Sequence, residues 1–162
     1  MMFAKGKNMW NSRKSLNLSW ICTKCFIVGI FVFAVFLPAL LKVYVAVSPA
    51  YSSVIQLTPL MIVLYLCCIP SLLALIALDR LLSNLRRNEI FTRRNVSLLR
   101  AISWCCFAVA ILIMAAISYY FFFIFHLMVV AIIASFIGLI VRVVKNVIEQ
   151  AVLLKEEQDL TV

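Results

Sequence analysis

Glycine, proline and acidic residues are scarce in this sequence. Its 162 residues include three glycines and four prolines, which is too few for the many turns of a membrane β-barrel. Charged residues make up 13% of the chain and hydrophobic residues 66%, whereas soluble domains contain about 45–50% apolar residues. These shortages indicate helices that cross a membrane, because lipid requires every backbone polar group to be paired within its own segment.

The apolar part of the sequence also lacks the side chains that catalysis would need. No Asp or Glu lies between Ile21 and Leu78 or between Ala101 and Val141, and His126 is the single histidine. Intramembrane proteases, lipid-modifying enzymes and proton-coupled transporters depend on ionisable groups in the bilayer. The motifs of P-loop, zinc-peptidase and serine-hydrolase sites are absent as well. We therefore expect no catalytic residues and no enzymatic activity.

The six cysteines do not predict a metal or cofactor site. Cys22 and Cys25 have the spacing of a redox pair or of half a zinc site, but zinc requires about two further ligands. The other four cysteines lie within the apolar runs, where cysteine behaves as a small hydrophobic residue. We expect no metal and no cofactor. Palmitoylation of Cys22 or Cys25, as juxtamembrane cysteines, stays open.

Four long apolar runs account for most of the sequence. Each is close to the roughly 20 residues that a helix needs to cross about 30 Å of hydrocarbon. The predicted transmembrane helices cover residues 22–45, 55–78, 101–120 and 124–144. The sequence therefore predicts an all-α integral membrane protein, in which residues 1–162 form a single four-helix membrane domain.

The basic residues indicate how these helices are oriented. Lys42 is the one basic residue between the first and second runs, and none lies between the third and fourth. All the others fall before the first run, between the second and third, or after the fourth. Because cytosolic loops collect Lys and Arg, both termini and the middle loop are predicted to be cytosolic. Membrane topology then explains the net charge of +9 better than direct binding to nucleic acid or to anionic lipid. We therefore expect no direct nucleic-acid binding.

The second run continues beyond the membrane into a predicted cytosolic helical hairpin, residues 79–100. Apolar residues recur at helical spacing on both sides of a short break at "NEIF". Thr92 can cap a new helix that begins at Arg93. The apolar positions are Leu78, Leu81, Leu82 and Leu85 before the break and Val96, Leu99 and Ile102 after it. Residues 1–20 are the predicted basic cytosolic N-terminus, and residues 1–18 are expected to be either disordered or an interfacial helix.

The cytosolic tail, residues 145–162, is predicted to be an amphipathic C-terminal extension with an acidic end. Its apolar face is assigned to Val144, Val147, Ile148, Ala151, Val152 and Leu154. Glu156, Glu157 and Asp159 follow. These acids could dock within the chain on Arg86, Arg87, Arg93 or Arg94, which is the favoured interpretation, or bind a partner protein.

The fourth run carries small residues that predict close helix packing. They form two small-xxx-small pairs, Ala131 with Ser135 and Ala134 with Gly138. The sequence leaves open whether this packing seam faces a helix of the same chain or a second copy.

Two segments resemble a known family. They are "NEIFTRRNVSLLRAISW" (Asn88–Trp104) and "LKEEQDLTV" (Leu154–Val162), and they resemble small bacterial four-span membrane proteins catalogued as domain of unknown function 2975. The matching positions are Phe91, Thr92, Asn95, Val96, Leu99, Arg100, Ile102, Glu156, Glu157, Asp159, Leu160 and Thr161. The resemblance covers about the whole chain. Asn88 departs from the glycine usual in the family, although Asn also tolerates a left-handed turn.

The resemblance implies a protein of the bacterial plasma membrane with no established activity. Members are often encoded beside a very small helix-turn-helix regulator, which implies a cytosolic DNA-binding partner. We therefore expect a non-enzymatic sensor or anchor for such a regulator. The alternatives are a self-protection protein against a bacteriocin or another membrane-active peptide, and a small transporter or channel subunit. The candidate residues for partner binding or switching are Arg86, Arg87, Phe91, Thr92, Arg93, Arg94, Asn95, Leu99, Arg100, Glu156, Glu157, Asp159, Leu160 and Thr161.

Overall fold

Four α-helices follow one another along the chain. The computed structural model describes residues 3–47, 58–87, 91–117 and 124–159, with side chains described for residues 14–43, 45–47, 58–87, 91–117 and 125–158. The helices are α1 (Phe3–Val47), α2 (Thr58–Arg86), α3 (Arg93–Ile117) and α4 (Ile124–Asp159). Each is long and apolar enough to cross a membrane. The prediction of an all-α, four-helix membrane protein is confirmed at this level, whereas the cytosolic location of the termini and of the hairpin stays a prediction.

All four helices are longer than the predicted spans, and the difference is largest for α1 and α4. α1 begins at Phe3, so the basic residues before the first run continue the transmembrane helix and are neither a disordered segment nor a separate interfacial helix. α4 contains 36 residues and is about 54 Å long at a rise of 1.5 Å per residue. Since hydrocarbon is about 30 Å thick, α4 must extend well beyond it.

A neighbouring helix pairs with the carbonyl oxygen that the proline inside α1 leaves free. α1 continues through Pro38 and α2 through Pro70. Proline has no N–H, so Pro38 frees the carbonyl oxygen four residues earlier, at Ala34. The Tyr65 hydroxyl on α2 donates a hydrogen bond to that oxygen at 2.9 Å. The proline of one helix therefore creates a polar contact with the next helix.

Three buried apolar clusters follow one another along the bundle. The middle one joins Cys67 of α2, Ile113 of α3 and Ala131 of α4. At one end, Leu41 of α1 packs on Leu60 of α2. At the other end, α2 and α3 contribute Ala77, Leu81, Leu99 and Ile102. The apolar positions predicted at Leu81, Leu82, Val96, Leu99 and Ile102 are all buried.

Many large apolar side chains remain exposed outside these clusters. Val35 is 73% exposed, Ile111 68% and Phe136 62%. Such extensive exposed apolar surface is rare on soluble monomers, and it suits helices whose outer faces contact lipid.

The small residues of α4 face α3 of the same chain. A Cβ atom added at Gly138 would lie 3.2 Å from the Cβ atom of Cys106, so the two backbones approach closely. The buried Ser103 hydroxyl also donates a hydrogen bond to the Gly138 carbonyl oxygen at 2.9 Å. Ala131 is 3% exposed, while Ala134 and Ser135 are half-buried. The packing seam left open by the sequence is therefore an internal one at Ala131 and Gly138.

The predicted apolar face of the tail is partly wrong. Val152 is buried, and Ile148 packs against the cluster of α2 and α3. Val144, Val147 and Leu154 are instead exposed. The inner stripe of α4 contains Val141, Lys145, Ile148 and Val152, because rotation of this helix is fixed by the Gly138 contact and not by hydrophobicity alone.

Candidate functional site

The candidate site is the end of the bundle at which α2 stops and α3 starts. We define this hairpin end by residues 79–87, 91–100 and 142–159, which follow or precede the apolar parts of α2, α3 and α4. The helical parts of the two hairpin arms each extend about 12 Å beyond those apolar parts, and α4 extends about 27 Å. The hairpin end contains most of the sequence-predicted binding residues.

Backbone hydrogen bonds mark where α2 ends and where α3 begins. The Arg87 amide donates to the carbonyl oxygens of Ser83 and Asn84 as α2 ends. The Asn95 and Val96 amides donate to the Thr92 carbonyl oxygen, at 3.0 and 3.4 Å. α3 begins at Arg93, so the predicted helix start after Thr92 is confirmed. Residues 88–90, including Asn88, lie outside the described residues.

A buried amide pair joins the two arms. The Asn84 amide nitrogen donates to the Asn95 side-chain oxygen at 2.7 Å. Asn95 is 0% exposed, and a buried polar side chain is tolerated only when it is hydrogen-bonded. The pair therefore fixes the register of α2 against α3, as a buried Asn does in coiled coils.

A bidentate ion pair links α3 to the end of α4. Arg93 donates through Nε to one Glu156 carboxylate oxygen at 2.9 Å and through a terminal nitrogen to the other at 2.6 Å. Helical side chains lean toward the N-terminus of their helix, so these two side chains on antiparallel helices lean toward each other. The hydrogen bond and the charge of Arg93 hold the pKa of Glu156 below its usual value. Because the Arg93 side chain is 74% exposed and that of Glu156 44%, this pair orients α4 and contributes little to stability.

A second carboxylate on α4 lies near two basic residues. Glu149 pairs with Lys145 one turn earlier and lies 3.7 Å from Arg100 of α3. Lys145 also donates to the Asn146 side-chain oxygen at 3.2 Å. Its side chain is only 15% exposed, so Glu149 is the counter-ion of a half-buried ammonium group.

A third contact joins α1 to this end of α2. The Lys24 ammonium donates to one carboxylate oxygen of Asp79 at 2.8 Å. The other Asp79 oxygen is buried and, among the described residues, has no hydrogen-bond partner. Trp20 lies beneath both Lys24 and Arg86, with ring-centroid distances of 5.7 and 5.3 Å. These cation–π contacts and the ion pair attach α1 to the hairpin.

The predicted binding residues divide into buried and exposed groups. Asn95 and Leu99 are buried, so they shape the hairpin and do not present a surface to a partner. Phe91 is 47% exposed. The exposed basic residues are Arg86, Arg87, Arg93, Arg94 and Arg100, Thr92 and Glu156 are half-buried, and Glu157 is exposed. Leu160, Thr161 and the Asp159 side chain lie outside the described residues.

An open groove of about 280 Å³ runs between α3 and α4 at this end. Its walls combine basic, acidic and apolar side chains, namely Arg93, Val96, Ser97, Arg100, Glu149, Val152 and Leu153. Groups of three or more His, Cys, Asp or Glu side chains that could hold a metal ion do not occur among the described residues. The mixed lining is chemically suited to binding a peptide or helix through both charge and apolar contact.

Sequence reasoning missed several residues of this end. Asp79 is the first acidic residue of the chain. Its distance from other acidic residues could have marked it as a candidate for an ion pair. The sequence contains no comparable signal for Asn84 or Glu149, since a polar residue near a helix end is ordinarily solvated. No sequence pattern links Lys24 to Asp79, because the two residues lie 55 positions apart.

Comparison with known proteins identifies the family. A family model described as a protein of unknown function, DUF2975, matches residues 11–162. The chain belongs to this family. Comparisons with curated proteins and with solved structures gave no match. In this DUF2975 chain, the two motifs quoted above meet in space, because Arg93 follows Thr92 of the first motif and pairs with Glu156 of the second.

Proposed function

We propose that this protein is a non-enzymatic membrane anchor or sensor for a cytosolic protein, and that the hairpin end binds the partner. A small helix-turn-helix regulator is the partner that the family resemblance implies. The observation that carries the proposal is the presence, at one end of the bundle, of an ordered polar unit built from α2, α3 and α4.

The dimensions of this unit support a binding role. Four apolar helices need only short connections to remain in a membrane, yet α4 continues about 27 Å past Val141. The extension is held to α3 by the Arg93–Glu156 pair and by buried Val152. Arginines alone would be enough to set the membrane topology. The packed extension of α4 is not required for that purpose.

The surface chemistry indicates the kind of partner. Phe91 exposes an aromatic ring at the hairpin tip, and Leu153 is 47% exposed beside the groove. Arg94 and Arg87 are exposed near Phe91 in sequence. A partner helix with one apolar face and acidic flanks would complement this surface.

The experiment is affinity purification of the tagged full chain from its native membranes. A small DNA-binding protein is expected to co-purify with the intact chain, and less with Phe91→Ala or with residues 155–162 deleted. Met114→Ala is the matched control, since Met114 is an exposed apolar residue of α3 far from the hairpin end. Absence of any DNA-binding protein from the intact sample would refute the regulator as partner. Equal recovery with all variants would refute the hairpin end as its site.

A further inference from the structure

Besides the groove, the structure contains a second, more strongly basic cavity between α3 and α4. It has a volume of about 210 Å³ and is lined by Arg100, Ser103, Trp104, Arg142 and Lys145. Three of these five residues are cations and none is an acid. The volume is below the roughly 300–1,000 Å³ of pockets for drug-sized ligands, so the cavity suits a small anionic group.

The positive charge of this cavity is not fully compensated. Glu149 is the counter-ion of Lys145 and lies 3.7 Å from Arg100, but it is not among the residues that line the cavity. Among the described residues, no carboxylate lies within ion-pair distance of Arg142. Glu149 therefore pairs with only two of the three cations, Lys145 and Arg100. An anion in the cavity would compensate the charge of Arg142 and reduce the repulsion among the three.

The cavity lies at the edge of the apolar part of the bundle. Arg100 immediately precedes the apolar run of α3, and Arg142 immediately follows that of α4. Trp104 is 63% exposed, and tryptophan is enriched at the level of lipid headgroups. The exposed apolar residues Leu139 and Val143 flank Arg142 on α4, where acyl chains could lie alongside the helix.

We propose that this cavity binds the phosphate group of an anionic phospholipid. Arginine matches phosphate oxygens through paired N–H donors, and Lys145 adds a point charge held in place by Glu149. The Ser103 hydroxyl is committed to the Gly138 carbonyl oxygen, which fixes the cavity floor between the two helices. Topology accounts for basic residues at this end of the protein, but not for the convergence of three of them on one cavity.

The test uses the purified full chain in detergent, with Trp10→Phe and Trp20→Phe so that Trp104 is the one remaining tryptophan. Trp104 fluorescence is followed during titration with short-chain phosphatidylglycerol, short-chain phosphatidylcholine or inorganic phosphate. We expect a saturable change with phosphatidylglycerol and much weaker binding of the other two. Arg142→Gln should weaken phosphatidylglycerol binding about tenfold, as expected for loss of one charge-assisted contact.

Two controls make the result decisive. Arg94→Gln removes the same charge from an exposed arginine outside the cavity and should leave the affinity unchanged. Arg142→Lys keeps the charge and should lose less affinity for phosphatidylglycerol than Arg142→Gln. Circular dichroism verifies that each variant is helical. Equal losses in Arg142→Gln and Arg94→Gln would overturn the cavity assignment. Inorganic phosphate binding as tightly as phosphatidylglycerol would overturn the lipid as the source of the phosphate.

Discussion

At the scale of single residues, the hairpin end depends on polar side chains in unusual places. Asn95 is completely buried and accepts a hydrogen bond from Asn84. Asp79 is half-buried against Lys24 of another helix. Asn84 compensates the lost hydration of the Asn95 side-chain oxygen, and Lys24 that of one Asp79 oxygen. Removing one partner should therefore cost more than removing both.

We predict that Asn95→Leu destabilises the protein by about 1–3 kcal/mol, because the Asn84 amide is left without its acceptor. The double variant Asn84→Leu/Asn95→Leu should recover part of the loss, since it removes both polar groups from the contact. Reversible unfolding in mixed micelles measures both effects. A single variant as stable as the wild type would contradict the structural role of the pair.

At the scale of secondary-structure elements, α3 and α4 make the most extensive contact of the described helix pairs. Their contact uses Gly138 against Cys106 and the hydrogen bond from Ser103 to the Gly138 carbonyl oxygen. Close approach of small residues is a main source of helix association in lipid, where burial of apolar side chains supplies no driving force. The contact positions Arg100 and Arg142 beside the basic cavity.

We predict that Gly138→Val lowers the stability of the folded bundle by about 1–3 kcal/mol, the usual cost of overpacking. Its Cβ atom would already lie 3.2 Å from that of Cys106, before the added methyl groups. Gly29→Val is the matched control, because a Cβ atom there meets nothing within 4 Å. Thermal unfolding in detergent should show a lower transition temperature for Gly138→Val alone. Equal transitions for the two variants would argue against a close α3–α4 contact.

The comparison of sequence and structure is most informative for α3 and α4. Val96, Leu99 and Ile102, which were predicted to share one apolar face, are all buried. The polar residues between them mark the opposite face of that part of α3. The tail of α4 was assigned too broad an apolar face, since Val144 and Val147 are exposed. In a membrane, hydrophobic periodicity does not identify the buried face of a helix, because lipid-facing and bundle-facing positions are equally apolar.

The candidate site was predictable only in its local features. The helix start at Arg93 follows from the capping preference of Thr92. The Arg93–Glu156 pair joins residues 63 positions apart, and sequence offered four arginines as candidates without selecting one. The Lys24–Asp79 pair and the Asn84–Asn95 pair depend on how the helices are rotated, which the sequence pattern does not determine.

At the scale of the whole molecule, the account depends on which side of the membrane the hairpin end occupies. The described residues of the two quoted motifs, the groove and the basic cavity lie at or beside that end. The distribution of Lys and Arg predicts that this end faces the cytosol. A regulator can reach the hairpin only in that orientation.

Accessibility of a single cysteine at position 88 tests this claim most directly. In a chain whose six native cysteines are replaced by serine or alanine, Asn88→Cys is treated in intact cells with a membrane-impermeant thiol reagent. Ser52→Cys, in the predicted outer loop, is the positive control, and permeabilised cells verify that Cys at either position can react. The account predicts labelling at position 52 and none at position 88 until the cells are opened. Labelling at position 88 in intact cells would place the hairpin end outside the cell and contradict the account.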